Sequence, residues 1–362
     1  MEFIDLKAQY KNIKNRVLAQ IENVLDNGQY IMGTQVKTLE DKLVEYTNGH
    51  YCIGVADGTK ALLIALMALG IKPNDEVIVP AFTFVATASM VKLLGATPVF
   101  ADIDPISYNI DPKQIENLIT NNTKVIITVG LFGQCADMDA INHIANKYNL
   151  AVIEDAAQSF GATYKGKHST NLSTIGCTSF FPSKPLGCYG DGGACFTQNI
   201  ELATKMKQIR IHGQDMRYHH AILGVNGRLD TLQAAILLTK LEIFPMEVIR
   251  RQEIGTRYNQ LLSGTNCIIP KTIEGNTHVY AQYSILVNDR KNFIEKLNNA
   301  GIPTSIHYPI PLHKQPILVE YYRGQNLEIS EDVANRIVSI PMHPYLDYEQ
   351  QDKIINIVKQ SL

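Results

Sequence analysis

Long apolar runs are missing from this sequence. The strongest, Ala61 to Leu69, falls far short of the ~20 residues that a bilayer-spanning helix needs, so no membrane role is expected. Met1 to Arg16 has neither an apolar core nor a small-residue cleavage site, so no secretory signal is expected. An excess of basic charge is also missing. Lys and Arg number 33 against 35 Asp and Glu, interspersed, which lacks the footprint of a nucleic-acid binder. The six cysteines, Cys52, Cys135, Cys177, Cys188, Cys195 and Cys267, form no C-x-x-C pair. In a chain of this size they read as reduced, mostly buried thiols, and the expected compartment is the cytoplasm. No G-x-G-x-x-G opens an early strand–helix turn, which argues against a nicotinamide enzyme. Neither repeats nor low-complexity tracts occur.

What is present is ordinary globular composition, 45% hydrophobic and 19% charged. Leu6, Tyr10, Ile13, Val17, Ile21 and Val24 recur at helical spacing, with Gly28 as a stop, so residues 1–50 form an N-terminal helical segment. From Tyr51 short apolar runs alternate with helical stretches. Strands are predicted at Tyr51–Val55, Glu76–Val79, Pro98–Phe100, Val125–Val129 and Ala151–Glu154, with helices at Gly58–Leu69, Val85–Leu94 and Asp137–Tyr148. Such alternation predicts an α/β domain over 51–240, a mostly parallel sheet covered by helices on both faces. A helix from Arg228 to about Leu262 is expected to break at Pro245. Beyond it, strands at Val279–Val287 and Thr304–His307 and helices at Asn292–Asn299 and Glu331–Ile337 suggest a smaller α+β domain over 241–362.

Three segments carry chemistry. Ala151-Val-Ile-Glu-Asp155-Ala-Ala-Gln158 is a strand ending in carboxylates. In open α/β sheets ligands bind at such ends, and a carboxylate there can hold a ligand's ring nitrogen protonated; alternatively Asp155 caps the next helix. Thr178-Ser179-Phe-Phe-Pro182-Ser-Lys184-Pro-Leu-Gly187 hems a lysine between aromatics, prolines and glycine. Desolvation there lowers its pKa and favours the neutral amine that forms Schiff bases; the plain alternative is a surface lysine beside a tight hairpin. Asp57-Gly58-Thr59 opens a helix after the first strand and offers backbone N–H groups to an anion, or is only a cap. Tyr218-His219-His220 does not suggest a metal, because adjacent side chains diverge and no carboxylate spacing supports a site.

Taken in order, these motifs and Pro80-Ala-Phe-Thr-Phe84-Val-Ala-Thr resemble the DegT/DnrJ-type sugar aminotransferases. The resemblance runs from Ile4-Asp-Leu to His343-Pro-Tyr. It is closest to the branch that aminates UDP-2-acetamido-2-deoxy-3-oxo-glucuronate for O-antigen or other bacterial surface polysaccharide. The branch markers are the segment from Cys177 to Gly193, Tyr218-His219-His220, Gly227-Arg-Leu-Asp-Thr-Leu-Gln-Ala-Ala, and His307-Tyr-Pro-Ile-Pro-Leu-His313-Lys-Gln-Pro.

The resemblance implies a fold type I enzyme that uses pyridoxal 5′-phosphate, cycling through its pyridoxamine form, with L-glutamate as amino donor. By this likeness Lys184 carries the cofactor as a Schiff base and then serves as the base. Asp155 pairs with the pyridine nitrogen, Gln158 lies by the ring hydroxyl, and Phe84 covers the ring. Gly58, Thr59 and Ser179 bind the phosphate, joined by Asn226 from the partner of a homodimer. Arg228, His307 and Tyr308 are candidates for the nucleotide-sugar, with structural roles as the alternative. Two other functions stay open: amination at C4 of a nucleotide-linked 4-keto-6-deoxy sugar, and non-catalytic binding of pyridoxal phosphate for regulation.

Overall fold

Apolar side chains every third or fourth residue bury one face of the opening helix, α1 (Leu6–Asn27), where Ile13 and Val17 are fully covered. Burial of that kind stabilises by about 1.5–3 kcal/mol per side chain. The computed structural model describes residues 1–362. After α1 come α2 (Thr34–Thr47), β1 (Tyr51–Val55), α3 (Gly58–Ala68), β2 (Glu76–Pro80), α4 (Ala86–Leu93), β3 (Thr97–Ala101), α5 (Pro112–Ile115), β4 (Thr123–Val129), α6 (Met138–Tyr148) and β5 (Ala151–Asp155). Then follow β6 (Thr163–Tyr164), β7 (Lys167–His168), β8 (Ile175–Ser179), β9 (Gly193–Thr197), α7 (Ile200–Arg210), β10 (Gln214–Met216), β11 (His219–His220) and α8 (Thr231–Leu262). The chain closes with β12 (Tyr283–Leu286), α9 (Arg290–Asn299), α10 (Glu328–Arg336), β13 (Ile337–Ile340) and α11 (Tyr348–Ser361).

Seven strands form one sheet in the order β1-β9-β8-β5-β4-β2-β3. Neighbours are parallel except β9, which runs antiparallel to both β1 and β8. Successive side chains of a strand face opposite ways, and the cores follow that rule. Ile78, Ile126 and Val152 enter one apolar cluster, with Leu229, Ala234 and Leu237. Val77, Val79, Val125, Ile127 and Ile153 enter the other, beneath α3 and α7. The strands read as continuous apolar runs because both faces are covered.

A third cluster joins Ile254, Tyr258 and Leu262 of α8 to Tyr283, Phe293, Val338 and Ile354. Helix α8 therefore serves as a spine shared by the sheet and the C-terminal elements, and residue 240 lies inside it. It also takes up α1, through Ile236 against Ile13 and Val17 and through Arg16 to Glu242 at 2.7 Å. No helix is long and apolar enough to cross a membrane.

Several predicted elements need correction. The break at Pro245 does not occur; α8 runs through it. Tertiary packing on both sides of the proline outweighs one missing N–H. Nor does α8 start at Arg228. That residue is extended and bridges Val55, and Asp230 occupies the N-cap position. The strand expected at Val279–Val287 is confined to Tyr283–Leu286 because Tyr280 turns to φ 44°. Thr304–His307 forms only a single bridge, Ser305 to Ser339. The helix expected at Glu331–Ile337 starts earlier, at Glu328, and Ile337 already belongs to β13.

Candidate active site

The parallel strands deliver their carboxyl ends to one rim of the sheet. Along that rim Gly58, Thr59, Phe84, Asp155, Gln158, Ser179, Lys184, His307 and Tyr308 line a single cavity of about 670 Å³. The first N–H groups of a helix have no intrahelical acceptor. At α3 the Asp57 carboxylate caps that of Lys60 at 2.7 Å, and the residues between, Gly58 and Thr59, line the cavity. Glycine is required at 58 because a Cβ there would stand 2.6 Å from the Cβ of Ser179. The α3 start and the β8 end are thus held together as a cradle that suits an anion.

Glu154 and Asp155 end the same strand but point to opposite faces. Glu154 is buried away from the cavity, accepting from the Thr170 N–H at 2.8 Å, and burial pushes its carboxyl up to about 7. Asp155 faces the cavity and accepts from the Ala157 N–H at 3.1 Å. Thr87 lies 3.5 Å from its other oxygen. Burial raises the Asp155 pKa, opposed by the Ala157 N–H, the charge of Lys184 and Thr87. Such a carboxyl is ready to take a cationic partner.

Lys184 sits in a tight turn. Its N–H donates to the Phe181 carbonyl at 2.8 Å, and the Cys188 N–H closes on Phe180 at 2.7 Å. Phe180 is fully buried, edge-on to Phe160 at 6.1 Å, which pins the turn to the core. Gly187 lets the chain fold back, since a Cβ there would meet the Pro182 carbonyl at 2.6 Å. Burial lowers the Lys184 pKa and Asp155 partly restores it. The amine is therefore more nucleophilic than a surface lysine.

The opposite wall comes from the C-terminal part of the chain. Gln158 Oε1 accepts from the Phe132 N–H at 2.8 Å, and its Nε2 donates to the Tyr308 hydroxyl at 3.2 Å. Burial raises the Tyr308 pKa well above the usual phenol range. Its ring lies 5.8 Å from that of Phe84. His307 Nδ1 pairs with Ser339 at 3.0 Å, and burial lowers its pKa to about 4, aided by the charge of Lys184, so the ring is neutral.

Asn226 and Arg228 do not line this cavity. Asn226 is exposed on the segment after the β10–β11 hairpin and bridges Ile211; Arg228 is half-buried against β1. Sequence reasoning also passed over residues that do line it: Lys60, Ser183, Asp191 and Gln282. It missed Thr87 as well. Thr87 lies in the first turn of α4, where its N–H meets the Phe84 carbonyl at 3.2 Å. The signal for Gln282 was weak, a lone amide within the apolar run Val279 to Val287.

No group of His, Cys, Asp and Glu is arranged to hold a metal ion. The groups present do fit pyridoxal phosphate: an N–H cradle for its phosphate, a buried carboxyl for its ring nitrogen and a desolvated lysine for its aldehyde.

Comparison with known proteins gives the same picture. The DegT/DnrJ/EryC1/StrS aminotransferase family model matches residues 11–359. The UDP-2-acetamido-2-deoxy-3-oxo-D-glucuronate aminotransferase of Pseudomonas aeruginosa is 56% identical over 347 residues, 96% of each chain. Among solved structures, a DegT DnrJ EryC1 StrS aminotransferase from Brucella abortus superposes with a TM-score of 0.97 at 44% identity, covering 99% of both chains. NtdA from Bacillus subtilis, solved with its bound cofactor PMP, superposes at 0.91 with 34% identity, covering 99% of this chain and 83% of that one.

Proposed function

Because the chain belongs to the DegT/DnrJ/EryC1/StrS aminotransferase family, whose cofactor is pyridoxal phosphate, we propose that it transfers an amino group from L-glutamate to C3 of UDP-2-acetamido-2-deoxy-3-oxo-D-glucuronate. The product is the 3-amino sugar nucleotide, destined for O-antigen or other surface polysaccharide. The observation that carries this reading is the 56% identity, across 96% of both chains, to the Pseudomonas aeruginosa enzyme of that name.

The cofactor, when bound, supplies an electron sink for the carbanion that forms as a proton leaves carbon. The chain's residues do the rest. Lys184, with its ammonium disfavoured by burial, takes the proton from the α-carbon of glutamate and later delivers one to C3 of the sugar. Asp155 keeps the ring nitrogen protonated through a charge-assisted bond. Gln158, held in place by Phe132 and Tyr308, would meet the ring hydroxyl. Gly58, Thr59 and Ser179 would hold the phosphate, and Phe84 would close over the ring from the cavity mouth.

Asn226 and Arg228 serve the site of a partner subunit in a homodimer. Their position outside their own cavity supports this, as do Tyr218 in the β10–β11 turn and Leu223 just after the hairpin, each 81% exposed. Arg228 reads the C6 carboxylate of the sugar through its planar fork, while His307 and Tyr308 orient the ring. The enzyme works in the cytoplasm, a reading supported by six free cysteines, five of them buried.

The test is to incubate the holoenzyme with glutamate and a panel of UDP- and dTDP-linked keto sugars. The 3-oxo-glucuronate is expected to be aminated fastest. Preference for a dTDP-4-keto-6-deoxy sugar would overturn the substrate assignment and leave the family intact.

A further inference from the structure

The charged side chains that line the cavity are three carboxylates, Asp57, Asp155 and Asp191, and two lysines, Lys60 and Lys184. His307 is neutral, since burial lowers its pKa to about 4. Lys184 is committed to the aldehyde of the cofactor. Lys60 is therefore the one free cation that this chain brings to a cavity suited to phosphates.

Lys60 is also unusual for its place. It is the third residue of α3. The first turn of a helix carries a partial positive charge, and a cation there opposes it. The Lys60 backbone N–H is taken by the Asp57 carboxylate at 2.7 Å, but its ammonium has no hydrogen-bond or ion-pair partner in the protein. Lys240 lacks a partner too, yet it is 1% exposed and sealed in the core. Lys60 is only half-buried at the cavity wall. A lysine in that state keeps its stem against the protein and its head in solvent. A local rule broken without compensation inside the chain marks a group kept for a ligand.

We propose that Lys60 binds the diphosphate of the nucleotide sugar, its ammonium donating to the phosphoryl oxygens. This rests on the reading of the substrate as a sugar nucleotide.

Phosphoryl oxygens enter the cavity from two sources, the cofactor and the nucleotide. The cradle that suits the cofactor's phosphate lies where α3 and β8 close together, so tightly that a Cβ at Gly58 would stand 2.6 Å from that of Ser179. Backbone N–H groups and the hydroxyls of Thr59 and Ser179 serve an anion there. A long, half-exposed side chain suits an anion further out. In the substrate, the diphosphate links the sugar, which must reach Lys184, to the uridine, so it crosses the outer part of the cavity. An ammonium is a compact charge with three rotatable donors, which fits a flexible diphosphate better than a fixed planar group. Every nucleotide sugar carries this diphosphate. Lys60 thus adds affinity; it neither chooses the sugar nor moves a proton.

The experiment is calorimetric titration of the holoenzyme with UDP, at low and high salt, for the wild type, Lys60→Met and Lys60→Arg. Retention of cofactor on dialysis is measured alongside. Lys60→Met keeps the stem and removes the charge. It is expected to weaken UDP binding by about five- to tenfold, between the worth of an exposed ion pair and that of a buried hydrogen bond to a charged group. Added salt should weaken UDP binding to the wild type and to Lys60→Arg, and should do so less in Lys60→Met, because one screened charge pair is gone. A side chain that only packs would leave that salt dependence unchanged. Cofactor retention and the cofactor's visible absorbance should match the wild type in Lys60→Met, which also shows that the variant is folded. UDP affinity and salt dependence that are unchanged in Lys60→Met overturn the assignment. So does loss of cofactor with UDP binding intact, which would give Lys60 to the cofactor's phosphate. A wild type that does not bind UDP overturns the sugar-nucleotide reading itself, and this assignment with it.

Discussion

The two walls of the cavity are built differently. The wall formed by strand ends is local. Asp57-Gly58-Thr59 follows β1, Phe84 follows β2, Asp155 ends β5, and Ser179 to Lys184 follow β8. Each group is fixed by the strand immediately before it, and the parallel sheet brings the ends together. The facing wall holds Gln282, His307 and Tyr308, which come from short irregular segments beyond α8. Its partners are distant in sequence: His307 bonds Ser339, and Tyr308 bonds Gln158. On our reading the first wall carries out the proton chemistry common to the family, and the second selects the sugar. Adjusting the second wall leaves the sheet undisturbed, so one catalytic apparatus can serve many substrates.

The largest expected effect falls on the first wall. Lys184→Ala should lower turnover by about 100- to 10,000-fold, while cofactor is still bound through the phosphate cradle. Borohydride treatment should link cofactor covalently to the wild type at Lys184 and fail to do so in the variant. Labelling of another lysine in the wild type would show that the wall has been misread.

Next comes Asp155→Asn. The side chain keeps its size and can still meet the Ala157 N–H, so folding should be little changed. The negative charge is lost, and a charge-assisted bond is about twice as strong as a neutral one. Both half-reactions should slow by about 100-fold or more, the range usual for loss of one positioned electrostatic group. A variant that slowed only the sugar half-reaction would contradict the division between the walls.

The same contrast explains what could be read in advance. Strands β1 to β5 match the sequence reading to within one residue at each end, apart from β4, which starts two residues earlier, because buried parallel strands have continuous apolar runs and α/β turns have strong punctuation. Lys184 and Asp155 stood out because each is an unusual residue for its setting. By contrast, the strand around Tyr283 was drawn too long because the left-handed turn at Tyr280 leaves no trace in hydrophobic periodicity. Gln282 escaped notice because a lone amide inside an apolar run carries no local mark of the cavity it lines. Arg228 was placed at the head of a helix, yet it bridges β1 three residues before α8 begins, a pairing set by tertiary contact. The antiparallel insertion of β9 between β1 and β8 is equally silent in local pattern.

A smaller effect is expected where the walls touch. Tyr308→Phe removes the hydroxyl that accepts from Gln158 Nε2 at 3.2 Å. One neutral hydrogen bond is worth about 1 kcal/mol, or roughly fivefold in rate. Gln158 serves the cofactor in both half-reactions, so rapid-mixing kinetics should show about that loss in each, and a larger one in amination of the keto sugar, which Tyr308 also orients. A loss confined to the glutamate half-reaction would remove Tyr308 from the wall that selects the sugar.

The smallest effect concerns stability against acid, and it too separates the two parts of the chain. Three histidines beyond α8 have pKa values depressed by burial: His278 to about 3, His307 to about 4 and His343 to about 4, from an ordinary 6.5. His307 is lowered further by the charge of Lys184, and His343 by that of Arg251. Between pH 6.5 and 4 the unfolded chain binds protons at these sites and the folded chain does not. Stability must therefore fall as pH drops through that window, and level off for these groups once the folded rings are protonated. Glu154 acts in the opposite sense. Its folded pKa, raised to about 7, makes the folded chain the better proton binder between 4.5 and 7, so its contribution is lost as pH rises through 7. Two buried carboxyls of the sheet, Glu154 and Asp155, thus oppose three imidazoles in the C-terminal part. The imidazoles should prevail, and the urea midpoint of the holoenzyme should be lower at pH 5 than at pH 6.5. Hydrogen exchange should show the loss first in β12, β13 and the packing around Tyr258, with the strands of the large sheet still protected. A midpoint that rose on acidification, or exchange that opened β4 and β5 first, would show that the sheet carboxyls govern acid stability.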